Sequence, residues 1–170
     1  MLGTRSVKDV AEQLIQSLED EEATIELGKI IAKSINGRGR IYLRGDLGAG
    51  KTTLCRGILR SMGYLGAVKS PTFTIVEPYS FSGGQVYHFD LYRLNDPDEL
   101  EYIGVDDYFA DETLCLVEWP ERAAGILPPG DLDIELLIEG RIRTAVLGAG
   151  SEFGRTVLEL IKLEIDNDCK

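Results

Sequence analysis

Gly45-Asp46-Leu47-Gly48-Ala49-Gly50-Lys51-Thr52 is a complete G-x-x-x-x-G-K-[ST] phosphate loop, and its reading decides the fold. Gly45, Gly48 and Gly50 lack a Cβ, so the backbone can turn its N–H groups inward as an anion-binding nest. Lys51 has the reach for β- and γ-phosphates, and the Thr52 hydroxyl can bind the Mg²⁺ that bridges them. The apolar stretch Ile41-Tyr42-Leu43 before the loop reads as a strand. The run from Thr52 to Arg60 reads as a helix whose N-terminal dipole would face the phosphates. Strand, glycine-rich loop and helix in that order open an α/β phosphate-loop fold. The expected ligand is a nucleoside triphosphate with Mg²⁺, held by Asp46, Leu47, Gly48, Ala49, Gly50, Lys51, Thr52 and Thr53.

Working outward, the chain has 170 residues, enough for one domain with an ordinary core. Hydrophobic residues make up 44%, a globular composition. There is no apolar run long enough for a membrane span, and Met1 to Ser6 leads into charged sequence without the apolar core of a secretory signal. Cys55, Cys115 and Cys169 are odd in number and far apart, which fits reduced thiols in a cytoplasm, with Cys55 and Cys115 in the core. The formal charge is −11, with 29 Asp and Glu against 18 scattered Lys and Arg. A protein that grips nucleic acid by itself presents a basic face, so autonomous tRNA or DNA binding is not expected.

The elements read as a single α/β domain whose central mixed, largely parallel sheet is flanked by helices. Thr24, Leu27, Gly28, Ile31, Ala32 and Ile35 recur at helical spacing from about Glu21, and Asn36-Gly37 ends the run. Val7 to Leu18 fits helix or strand. Arg40 to Arg44 is a strand, and the phosphate-loop helix runs to about Met62. Thr72 to Tyr79 and Gln85 to Leu91 alternate as strands of a hairpin across Ser82-Gly83-Gly84. Asp96 caps a short helix with Pro97 at its first position. Thr113 to Trp119 suits a strand buried on both faces. Asp131 to Glu139 and Arg141 to Leu147 make a second hairpin around Gly140. Ser151 caps a closing helix to Lys162.

A phosphate loop needs a second carboxylate for Mg²⁺ and a group that places the attacking water or acceptor. Leu114-Cys115-Leu116-Val117-Glu118 is an apolar run ending in an acid, as expected of a carboxylate at the end of a buried strand. Glu118 is therefore the expected metal-side acid. Asp90, ending the similar Val86-Tyr87-His88-Phe89-Asp90, is the expected second acid near the γ-phosphate. His88 is the only histidine, which makes neither a metal cluster nor a triad, and it reads as structural. Trp119, the only tryptophan, fills core or lies beside the nucleotide. Ser70-Pro71-Thr72-Phe73-Thr74 stands where phosphate-loop proteins keep a nucleotide-sensing segment. Arg93 binds phosphate or pairs with Asp90, a surface ion pair being the modest default.

Four motifs in order, the phosphate loop through Thr53, Ser70-Pro-Thr-Phe-Thr-Ile75, His88-Phe-Asp-Leu-Tyr-Arg-Leu94 and Val117-Glu-Trp-Pro120, resemble the TsaE (YjeE) family of small bacterial ATPases. The resemblance runs from about Asp20 to Leu147 and leaves 148–170 as a C-terminal helix and tail without a family motif. It implies ATP hydrolysis tied to TsaD and TsaB, which make threonylcarbamoyladenosine at position 37 of ANN-decoding tRNAs. The tRNA would then be met only through that complex. It implies metal roles for Thr52 and Glu118, a hydrolytic role for Asp90 and a nucleotide-proximal Trp119; Lys51, by its reach to the phosphates, joins Asp90 and Glu118 as an expected catalytic group, and Thr72 is an expected nucleotide contact in the segment near the γ-phosphate. Glu21 and Thr24, in the segment near the base, and Arg141 after Gly140 are further nucleotide contacts it suggests. A small-molecule or nucleotide kinase is the alternative, although Arg122 is the only arginine between Glu118 and Arg141, thin for a lid. The guanine-reading N-K-x-D of a regulatory GTPase is missing.

Overall fold

A helix that opens on a capping aspartate sets the first layer of the fold, which a computed structural model describes over residues 12–170. Asp20 accepts a hydrogen bond from the Ala23 N–H at 2.8 Å, and Glu21 and Glu22 favour the positive end of α1 (Glu21–Ile35). Asn36 ends it in the left-handed region at φ 56°. The apolar positions expected from the spacing, from Thr24 to Ile35, form its buried face. Before it, β1 (Leu14–Leu18) is a strand, which settles the later part of the ambiguous stretch; residues 7–11 lie outside the described residues. The phosphate loop joins β2 (Gly39–Arg44) to α2 (Lys51–Ser61).

The rest of the chain adds β3 (Val76–Phe81), β4 (Gly84–Asp90), the short helices α3 (Asp98–Ile103) and α4 (Val105–Tyr108), then β5 (Leu114–Glu118), β6 (Leu132–Glu139), β7 (Ile142–Ala149) and the long closing helix α5 (Glu152–Asp168). Together the strands form one seven-stranded sheet in the order β1-β7-β6-β2-β5-β4-β3. Its centre, β6-β2-β5-β4, is parallel, and both flanks pair antiparallel. Central β5 is buried at all five residues, as its continuous apolar run requires.

Alternation along the strands divides the core. Ile41, Leu43, Leu114 and Leu116 meet α1, α2 and α5 on one face. Tyr42, Phe89, Cys115 and Val117 meet the layer of Leu94, Leu100 and Val105 on the other. The expected strand at Thr72 to Tyr79 begins only at Val76. Thr72 to Thr74 form a turn, and Ile75 adopts φ 68°, a strained value for a β-branched residue. α3 begins one residue later than expected, with Pro97 rather than Asp96 at the N-cap position, and Asp96 accepts from the Asp98 N–H at 3.0 Å just ahead of it; α4 and a 3₁₀ turn at Pro120–Ala123 are further elements that the sequence pattern does not mark. α5 continues beyond Lys162 to Asp168.

Candidate nucleotide and metal site

The site lies beyond the carboxyl ends of β2, β5 and β4, where an open α/β sheet binds its ligands. α2 starts without a side-chain cap: its N-cap is Gly50, at φ 108°, and its first turn holds no acid. By contrast Asp20 caps α1 and Ser151 caps α5. A helix start left open in this way, lining a cavity of about 490 Å³, is a ready anion site. Lys51 folds back over the loop, donating to the Gly45 and Asp46 carbonyls, the latter at 2.9 Å, with Nζ 4.3 Å from the centroid of the Trp119 ring. Burial lowers the pKa of this amine, against the pull of Glu118 and Asp90. No carboxylate pairs with it directly among the described residues, so its charge is available to an anionic ligand.

Strand register brings the two acids together, since Asp90 and Glu118 are opposite one another on parallel β4 and β5. The Thr52 hydroxyl donates to Glu118, 3.0 Å from Oε1 and 3.2 Å from Oε2. Those are hard oxygen donors, and they fit Mg²⁺. Ser70 and Thr72 donate to Asp90 Oδ2, the latter at 3.2 Å, and the Tyr92 N–H donates to Oδ1 at 2.9 Å. His88 Nε2 lies 2.8 Å from Glu118 Oε2. Cys55, His88 and Glu118 offer donor atoms within 4.8 Å of one another. Burial raises the Cys55 thiol well above its ordinary range.

Leu47, Gly48, Ala49, Gly50, Lys51, Thr52, Thr53, Thr72, Asp90, Glu118 and Trp119 all line the one cavity. Asp46 contributes its carbonyl while its side chain is exposed. Thr24 is buried beside the loop, its Cγ2 3.9 Å from where a Gly50 Cβ would lie. Glu21 pairs with Arg56 on α2, outside the cavity lining. Arg141 sits at the exposed β6–β7 turn and does not line the cavity. It is Arg143, not singled out from the sequence, that reaches the loop, donating to the Gly48 carbonyl at 3.0 Å. No local sequence signal separates it from Arg141, which lies in the turn just before β7. Arg93 lines the cavity with its guanidinium 4.3 Å from the Phe73 ring centroid. Trp119 adopts the left-handed conformation at φ 60° and packs on Tyr92, ring centroids 5.0 Å apart. A bulky residue held there stores backbone strain beside the cavity.

Fold and site together define an α/β phosphate-loop protein. Within that class, residues 18–145 match the sequence model described as "Threonylcarbamoyl adenosine biosynthesis protein TsaE", and the chain belongs to the TsaE family. It is 43% identical over 152 residues to the tRNA threonylcarbamoyladenosine biosynthesis protein TsaE of Haemophilus influenzae, covering 86% of this chain and 96% of the relative. It is 40% identical over 113 residues to the Bacillus subtilis protein of the same name, covering 66% of this chain and 70% of the relative. The crystal structure of Bacillus subtilis YdiB superposes with a TM-score of 0.77 at 28% identity, covering 92% of this chain and 98% of that one.

Proposed function

We propose that this chain is an Mg²⁺-dependent ATPase of tRNA threonylcarbamoyladenosine biosynthesis, acting with TsaD and TsaB on adenosine 37 of ANN-decoding tRNAs. The observation that carries the reading is the Thr52–Glu118 hydrogen bond beside the uncapped start of α2. It sets a metal-binding hydroxyl, a carboxylate and an anion-binding helix end at one point. Family membership supports the role in tRNA modification. Net charge −11 supports contact with proteins rather than a direct grip on RNA.

In this reading the open N–H groups of Gly50 to Thr53 and the amine of Lys51 orient the phosphates. Thr52 and Glu118 would hold the cation, which when bound would neutralise charge developing on the phosphoryl oxygens. Asp90 accepts a hydrogen bond from the attacking water at Oδ2, replacing one of the Ser70 and Thr72 hydroxyls. Trp119 shields the Lys51 side from solvent. No helix among the described residues is long and apolar enough to cross a membrane, and the work is assigned to the cytoplasm. Calorimetry of ATP binding with Mg²⁺ tests the site. Wild type binds, and Lys51→Ala loses productive binding; equal affinity in the two proteins overturns the assignment.

A further inference from the structure

His88 is fully buried on β4, two residues before Asp90 and on the same face of the sheet. Strand register pairs His88 with Leu116 and Asp90 with Glu118, so His88 is the diagonal neighbour of Glu118. Its Nε2 lies 2.8 Å from Glu118 Oε2. An ionised carboxylate only accepts, so the proton of that bond is assigned to Nε2. The other ring nitrogen, Nδ1, is buried and has no partner among the described residues. A histidine kept for packing alone tends to satisfy both nitrogens. This one commits its single bond to the metal-side acid.

The remaining partners of Glu118 are hydroxyls lining the cavity, Thr52 at 3.0 Å and Ser70 at 3.4 Å. Thr52 must turn its oxygen to a cation when one binds, and Ser70 is already engaged with Asp90. His88, held in the sheet and outside the cavity lining, is the partner that stays. We propose that His88 is a positioning residue for Glu118: its Nε2–H holds Oε2 so that Oε1 keeps facing Thr52 and a divalent cation. The proposal rests on the nucleotide-and-metal reading above. His88 touches neither nucleotide nor water and acts only through the carboxylate, as the outer partners of metal ligands commonly do.

The test compares His88→Gln, whose side-chain N–H can reach where Nε2 stood, with His88→Asn, equally polar but too short. Free Mg²⁺ is titrated into protein saturated with a non-hydrolysable ATP analogue and followed by calorimetry, and analogue affinity is measured separately in EDTA. His88→Asn raises the Mg²⁺ concentration for half-saturation about tenfold, the scale of losing such an outer partner, with affinity in EDTA unchanged. His88→Gln stays near wild type. Because the chain has one histidine, a nitrogen-15 spectrum shows one imidazole, and its Nε2–H signal shifts in Glu118→Gln. Identical Mg²⁺ half-saturation in wild type and His88→Asn overturns the proposal, as does equal weakening in both variants. An imidazole proton found only on Nδ1 overturns it in the wild-type protein alone. If wild type takes no Mg²⁺ with the analogue, the metal reading itself fails, while the Glu118→Gln shift still reports on the His88 bond.

Discussion

Gly57→Ala sets two well-calibrated effects against each other, and the structure decides the sign. Alanine is the better helix former by about 1 kcal/mol, so at an ordinary helix position the change would stabilise. At Gly57, however, a Cβ would lie 2.5 Å from the Ile25 carbonyl oxygen and 2.9 Å from Ile25 Cα. Gly28 is its counterpart on α1, where a Cβ would lie 2.7 Å from the Leu54 oxygen and 2.9 Å from Gly57 Cα. Those neighbours are backbone atoms, which no rotamer change can remove, so α1 and α2 must move apart. Overpacking of this kind costs about 1–3 kcal/mol. Set against the propensity gain, the net loss is up to about 2 kcal/mol, a fall in Tm of up to roughly 8 °C for a chain of this size. α2 carries Lys51 at its start, and Thr24 of α1 lies against Gly50, so nucleotide affinity falls as well. Thermal and urea unfolding followed by circular dichroism measure the first effect. A variant that melts higher than wild type would refute the close-crossing argument.

Lys51→Met should leave folding stability equal or slightly higher, since burial already works against the charged amine, while ATP affinity falls about 10–100-fold with loss of a charged contact; a large drop in Tm would contradict this. Asp90→Asn should lower turnover with ATP still bound, and Glu118→Gln should weaken the Mg²⁺ dependence most; full turnover in Asp90→Asn would remove its hydrolytic role. Trp119 is the only indole in the chain and stands over Lys51, so its fluorescence should change on nucleotide addition; a flat titration despite proven binding would place the ring away from the ligand. The isolated chain should give no tRNA gel shift at physiological salt, and a tight complex would contradict the charge argument.

The parts legible in the sequence are those written in local chemistry. α1 has the bounds that its spacing and Asn36-Gly37 stop announce. β5 is as buried as its apolar run demands. The phosphate loop falls between a strand and a helix, and the strand-end acids Asp90 and Glu118 line one cavity with it. What stayed hidden depends on pairing between distant strands. Nothing local says that β4 and β5 are neighbours in a register that sets His88 diagonal to Glu118. Nothing local says that Arg143 rather than Arg141 meets the Gly48 carbonyl. The late start of β3 is a tertiary override: Ser70 and Thr72 bond Asp90, and the chain bends at Ile75, whose carbonyl accepts from the Asp90 N–H at 2.9 Å. Alternation in Thr72 to Tyr79 suggested a longer strand, but those side-chain bonds hold its first residues in a turn.

The most direct test of the account is steady-state ATP turnover by the chain alone, then with TsaD, TsaB and tRNA added in turn. Slow hydrolysis by the isolated chain is expected, with a marked rise when both partners are present and loss of that rise in Glu118→Gln. Turnover at the full rate without partners, or transfer of the γ-phosphoryl group to a small acceptor, would contradict it and favour a kinase.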